Sequence, residues 1–246
     1  MLSLKLPGRY YQGTMTLHSF RFPGESPAYR ESRDQLLQAE IDLRRSIERV
    51  AALRRTLPPG GQIPEDYAFD EGPANLNDFD PIRQTRFSEL FGPGKDSLIV
   101  YSFMYGPEMQ AACVMCTSFI DALNASAVHL TQRVNLAVIA KSPIERIRQF
   151  AREREWRNLR LLSSSPNSYN RDYHGETPEG GQLPTLNVFT RRETGIHHFF
   201  STELVFLASE PGQNQRHLDI AWPLWNLFDF TPEGRGDDWF PKLIYR

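Results

Sequence analysis

Two stretches, LIVYSFM at 98–104 and VNLAVIA at 134–140, are apolar at nearly every position, and each is followed by a segment with helical spacing. A strand that faces water on one side alternates polar with apolar residues, whereas an unbroken apolar run belongs to a strand covered on both faces. Strand, helix, strand, helix in that order predicts an α/β core, a central mixed sheet flanked by helices. The first helical segment, CVMCTSFIDALNASAVHL at 113–130, offers Cys116, Phe119, Ile120, Leu123, Val128 and Leu130 to the sheet. The second opens at Ser142 and Pro143 and runs through IERIRQFAREREW to Trp156. Beyond it, 160–164 is expected to be an edge strand and SSSPNSYNRDYHGETPEGG a long polar loop. Residues 186–189 and 196–200 read as a hairpin around RRETG, and the apolar segments 204–208 and 222–230 close the domain as helix or strand.

Ahead of this core the chain is different. Residues 1–25 are mixed, punctuated by Pro7, Gly8, Pro23 and Gly24, and are expected to form an irregular arm. Ser26 followed by Pro27 is a helix start, a hydroxyl to cap free amides and a proline where no amide partner is needed. The stop is Pro58-Pro59-Gly60-Gly61. Between them Leu36, Leu43, Ile47, Val50 and Leu57 share one face, so one long amphipathic helix is predicted. Its stripe packs on its own domain or, at near-heptad spacing, on the same helix of a second copy, a homodimer through 27–57. The organisation is therefore an arm and helix over 1–61 and a core domain over 62–246.

Composition limits what the core can do. With 40% apolar residues and a formal net charge of -2, nothing points to a nucleic-acid backbone or an anionic membrane as partner. The N-terminus, MLSLKLPGRYYQG, has no apolar run fit for a secretory segment, and the chain is read as cytoplasmic. In that compartment two cysteines stay thiols unless they are cycled chemically.

Both cysteines, Cys113 and Cys116, lie in MYGPEMQAACVMCTSF, with Val114 and Met115 between them. Two cysteines scattered over this length would fall at that spacing on the order of one time in a hundred. They begin a helix directly after a buried strand, where free amides and the helix dipole stabilise a thiolate. Cys113 should then have a depressed pKa and be the attacking sulfur, with Cys116 one turn inside to resolve a mixed disulfide. A structural zinc site needs four ligands, and neither a second CxxC nor a finger-like spacing of the six histidines supplies them, so no metal or cofactor is expected. The plain alternative is a pair of small core residues. Tyr101, Met104, Tyr105 and Met115 could surround the sulfurs or be ordinary core, and Arg171, Asp172, Tyr173 and His174 form a polar cluster capable of proton transfer. The arginine-rich face of 146–160 reads as solvated helix surface.

Downstream, GQLPTLNVF places Pro184 at the entrance of a β-rich run, where a missing amide donor does no harm; a cis bond there would turn the chain beside a site, and an ordinary trans proline ending a loop is the alternative. A CxxC at a strand-to-helix junction followed by Leu-Pro-Thr-Leu-x-Val-Phe resembles the thioredoxin fold. That resemblance implies a proline loop lying against redox cysteines, with Cys113 and Cys116 as catalytic residues and Pro184, Thr185 and Tyr105 as substrate-binding ones. Most of the chain, through DYAFDEGPANLNDFDPIRQTRFSELFG, SLIVYSFMYGPEMQAACVMC, SSSPNSYNRDYH and LFDFTPEGR, resembles an uncharacterised bacterial thioredoxin-like family grouped with alkyl hydroperoxide reductase and thiol-specific antioxidant proteins. Two departures stand out. Peroxiredoxins resemble one another in Pro-x-x-x-Thr-x-x-Cys, and here Gln110 stands three before Cys113; thioredoxins carry Trp-Cys-Gly-Pro-Cys, and here Ala112 precedes the pair. The resemblance therefore implies a thiol-disulfide oxidoreductase acting on a protein or small-molecule disulfide, with a thiol peroxidase or a non-catalytic binding protein on the same scaffold as alternatives.

Overall fold

The computed structural model describes residues 17–209, 218–236 and 238–245, and the chain divides into two units, Met1–Leu57 and Pro58–Arg246. In the first, Ser26 caps α1 (Pro27–Arg55) by accepting the Tyr29 amide at 3.1 Å, and Pro27 occupies the first turn. Arg54 and Arg55 lie in the last turn, where cations suit the helix dipole. No residue of α1 is buried. Of the expected arm, residues 1–16 lie outside the described residues, and Pro23 and Gly24 form a turn before the cap.

The second unit contains, among the described residues, one seven-stranded mixed sheet. Its strands are β1 (Ala68–Glu71), β2 (Arg83–Arg86), β3 (Ser97–Phe103), β4 (Asn135–Ala140), β5 (Leu161–Ser163), β6 (Leu186–Arg192) and β7 (Gly195–Ser201). Their order across the sheet is β2-β1-β5-β4-β3-β6-β7. β3 and β4 run parallel in register from Leu98 against Asn135 to Phe103 against Ala140, and β4 runs parallel to β5. β6 lies antiparallel to β3, and β7 to β6. The order β4-β3-β6-β7 with these directions is the core of the thioredoxin fold.

Helices α2 (Val114–Leu130) and α3 (Ile144–Glu153) make the two crossovers. Because both crossovers step the same way along the sheet, one handedness places both helices on one face. Strand alternation sorts the core accordingly. Tyr101, Phe103, Val138 and Ala140 pack with Phe119, Ile120, Ile147 and Trp156 beneath the helices. Leu98, Val100, Ala137 and Ile139 pack on the opposite face with Tyr67, Phe69, Phe87, Tyr169 and Phe189.

Four sequence expectations change. The strand at 160–164 is interior, because the hairpin β1–β2 adds beyond it, Asp70 pairing with Ser163. The polar loop after β5 contains a short helix, α4 (Tyr169–Asp172), whereas the 222–230 segment, open between helix and strand, holds the helix α5 (Pro223–Phe228). Val128 is exposed, since the buried face of α2 at this level runs through Ala127 and leaves its neighbour on the solvent side. The arginines of 146–160 mostly turn inward: Arg148 is buried on the carbonyls of Pro73, Asn75 and Asp78, Arg154 pairs with Asp121, and Arg160 grips Glu71 at 2.7 and 3.0 Å. A planar guanidinium with five donors suits such carbonyl and carboxylate clusters, which charge alone does not reveal. Among the described residues, no helix is long and apolar enough to cross a membrane.

Candidate active site at the start of α2

β3 ends at Phe103, and nine residues later the chain comes back to it: the Cys113 amide donates to the Met104 carbonyl at 3.1 Å. The intervening loop is closed by its own contacts and by α3. The Met109 amide donates to the Gly106 carbonyl, and the Gly106 amide points at the Met109 sulfur at 3.2 Å. Arg146, from the first turn of α3, donates to the carbonyls of Gly106, Pro107, Met109 and Gln110 while stacking 4.4 Å from the centre of the Tyr105 ring. Ser142 adds a bond to the Gly106 carbonyl at 3.1 Å. Five hydrogen bonds from these two side chains to one short loop fix where Cys113 sits.

Cys113 is the N-cap of α2, in extended backbone geometry, and its sulfur accepts the Cys116 amide at 3.5 Å. Its carbonyl receives the amide and hydroxyl of Thr117 at 2.9 and 2.8 Å, so the first turn is satisfied around it. Both cysteines are free thiols; Cys113 is half-buried and Cys116 is 2% exposed. A hydrogen bond from the Cys116 thiol, opposed by burial and aided by the amides of Cys116 and Met115, lowers the Cys113 pKa to about 6. Burial, then the hydrogen bond and charge of Cys113, push Cys116 well up. The Tyr101 side chain and the Met104 amide act the other way on Cys116.

The predicted site residues divide between the two faces of the sheet. Ser102 donates its amide to the Thr185 carbonyl at 2.8 Å, Tyr101 pairs with Leu186, and the Gln182 side chain lies against Gly106, so the 182–186 segment runs beside the strand end that carries the cysteine loop. Pro184 lies within that segment, and its peptide bond is trans; the cis bond among the described residues is Asp80–Pro81. Tyr105 is in the core beside Phe103 and Phe150, under Arg146. Thr185 is fully buried and faces away from the sulfurs: its hydroxyl accepts from Asn187, which also donates to the Tyr173 carbonyl and meets His198 at 3.0 Å. Asp172 accepts the Tyr67 hydroxyl on that same far face, and Tyr173 packs there against Phe189, so the polar cluster at 171–174 is separate from the thiols. Among the described residues no group of three or more His, Cys, Asp or Glu could hold a metal ion; His217 lies outside them.

One contributor, Arg146, escaped sequence reasoning, and a second, Tyr101, was open between a neighbour of the sulfurs and ordinary core. Arg146 is one arginine in a run of them, with no local signal that it would turn back on the preceding loop. Tyr101 carried a signal in its period-two spacing with Phe103, which puts both rings on the cysteine face.

The protein is similar to several solved structures. The peroxidoxin BcpB from Mycobacterium tuberculosis is 14% identical, with a TM-score of 0.43, over 68% of this chain and 95% of that one. AhpC from Enterococcus faecalis is 12% identical, with a TM-score of 0.43, over 74% of this chain and 98% of that one. Thioredoxin peroxidase I from Plasmodium yoelii is 14% identical, with a TM-score of 0.43, over 70% and 91%. None of the curated proteins matches the chain. The family of bacterial proteins of unknown function designated DUF899 matches residues 21–245, which include the long helix and nearly all of the thiol-bearing unit, and the chain belongs to that family.

Proposed function

We propose that the protein is a thiol-disulfide oxidoreductase. The observation that supports this reading is the half-buried Cys113 sulfur at the cap of α2, with a pKa near 6 and a buried second thiol one turn inside. At neutral pH such a sulfur is mostly thiolate, the form that attacks disulfides.

The reaction balances in two exchanges. The Cys113 thiolate attacks one sulfur of a substrate disulfide, the S–S bond breaks, and one substrate thiolate leaves. Cys116 then gives up its proton and attacks Cys113, the mixed disulfide breaks, and the second substrate thiolate leaves; two electrons have passed to the substrate and an intramolecular disulfide remains. An external dithiol restores the pair. Substrate lies along the 182–184 segment, where Pro184 presents a carbonyl and no amide, and Tyr105 stiffens the opposite wall through its ring contacts. Tyr101 serves the second exchange. Once Cys113 is bonded to substrate, its charge no longer opposes ionisation of Cys116, and the Tyr101 hydroxyl with the Met104 amide supports the new thiolate.

The test is the pH dependence of alkylation, followed by mass spectrometry on the reduced protein. Cys113 modification by iodoacetamide is expected to rise through a midpoint near pH 6 and level off above pH 7, while Cys116 stays unmodified. A midpoint in the ordinary thiol range would remove the support for the reading. Replacing Tyr101 by Phe should leave that midpoint in place and slow closure of the intramolecular disulfide by about tenfold, the worth of one hydrogen bond to a charged sulfur. Closure at the unaltered rate would rule out the role given to the tyrosine.

A further inference from the structure

The long helix leaves an apolar stripe open along its length. Leu36, Leu43, Ile47 and Val50 are between 40% and 60% exposed, Tyr29 extends the line at the first turn, and Leu57, exposed too, lies just past the last turn. The spacing Leu36, Leu43, Val50, Leu57 is seven residues each time, the repeat that holds one helix seam against a partner helix as the two supercoil. Such a face in water requires an occupant.

Charge on the flanks distinguishes the candidates. From residue 27 to 42 the helix carries Arg30 and Arg33 against Glu31, Asp34, Glu40 and Asp42; from 43 to 55 it carries five arginines against Glu48 alone. One half is acidic and the other strongly basic. A parallel, in-register copy would set Asp42 beside Asp42 and Arg44 and Arg45 beside their own images, which is repulsive. An antiparallel copy centred on Leu43 reverses this: Asp42 faces Arg44 and Glu31 faces Arg55. The same register seats Leu43 on Leu43 and Leu36 on Val50, so seam and flanks agree on one alignment.

We propose that α1 pairs antiparallel with α1 of a second copy of this chain, with Leu43 at the two-fold centre. The prediction is independent of the thiol chemistry. By light scattering the intact chain should have twice its 28.4 kDa mass. Leu43→Arg places two like charges at the centre and should weaken association by at least about a hundredfold, with Cys113 alkylation unchanged as evidence of a folded core. As a second route, Glu31→Arg with Asp42→Arg, both exposed positions, should weaken it by at least about tenfold while leaving the seam intact. Orientation is read by cross-linking in a full-length background lacking Cys113 and Cys116. Leu36→Cys mixed with Val50→Cys should form a disulfide between chains, whereas Leu36→Cys alone should not, because its two copies stand about 21 Å apart along the axis. A monomer at every concentration, a dimer indifferent to both sets of charge substitutions, or efficient self-cross-linking of Leu36→Cys would each overturn the proposal.

Discussion

Replacing Cys116 by serine should arrest the protein at a covalent intermediate. Offered an aromatic disulfide such as 5,5′-dithiobis(2-nitrobenzoate), the reduced native chain should release two equivalents of the coloured thiolate and finish with its own disulfide closed. The Cys116→Ser chain should release one equivalent and keep the other half bound to Cys113, where mass spectrometry would find it. The expected effect is large because closure is intramolecular: a well-oriented neighbouring group acts at effective concentrations of about 10⁵ M or more, and a serine hydroxyl at neutral pH supplies no comparable nucleophile. Cys113→Ser should react slowly or not at all, since the remaining thiol is 2% exposed and its pKa is pushed up by burial. Two equivalents from Cys116→Ser, or rapid reaction of Cys113→Ser, would contradict the assignment of attacking and resolving sulfurs. If hydrogen peroxide instead produced a sulfenic acid on Cys113 faster than any disulfide reacted, the same thiols would be reducing peroxide.

The largest effect on stability is expected where Arg148 crosses Gly72. Arg148 is 5% exposed, and its guanidinium donates to the carbonyls of Pro73, Asn75 and Asp78, the last two at 2.9 and 2.8 Å, holding the 73–78 loop to α3. A Cβ on Gly72 would fall 2.6 Å from the Arg148 Cδ and Nε and 2.8 Å from its Cζ. Real atoms do not approach so closely, and the arginine has no slack because three carbonyls hold its far end. Gly72→Ala should therefore cost about 2 kcal/mol, and Arg148→Met, which takes the donors from three carbonyls of the 73–78 loop, about 3 kcal/mol. Contacting residues are not additive, so in the double variant the alanine should cost little, its obstacle having been removed. Urea denaturation measures all three. A single-variant cost below about 0.5 kcal/mol for Gly72→Ala would mean the loop yields.

What the residues announce and what they conceal follows a physical line. β3 and β4 are legible because strands buried on both faces must be apolar throughout, and the start of α1 is legible because Ser26 and Pro27 act on the chain within three residues of themselves. The placement of Cys113 at a strand-to-helix junction follows from the same two patterns. The hairpin of β1 and β2 was invisible: AFDE and RQTR are short and half charged, and they form strands because Glu71 finds Arg160 and Thr85, partners 89 and 14 residues away. Missing that hairpin is what made β5 look like an edge. Thr185 illustrates a register effect; it is one residue from Pro184 and from Leu186, and that single step sends its side chain through the sheet to Asn187. Arginine patterns mislead for a related reason, since a guanidinium reaching a distant carbonyl looks in sequence like one reaching water.

The sulfur that would do the chemistry is also the atom that terminates α2, receiving the Cys116 amide in the place a serine or aspartate oxygen usually takes. Chemistry and architecture therefore draw on the same lone pairs. A negative sulfur holds that amide and the helix dipole strongly, a neutral or bonded one weakly, so each change of covalent state at Cys113 loosens or tightens the opening turn of the helix. By reciprocity, anything that frays or firms that turn, a docking protein included, shifts how readily the sulfur is oxidised. In a chain built this way, the mechanical state of one helical turn and the electron count of one atom are two readings of a single variable.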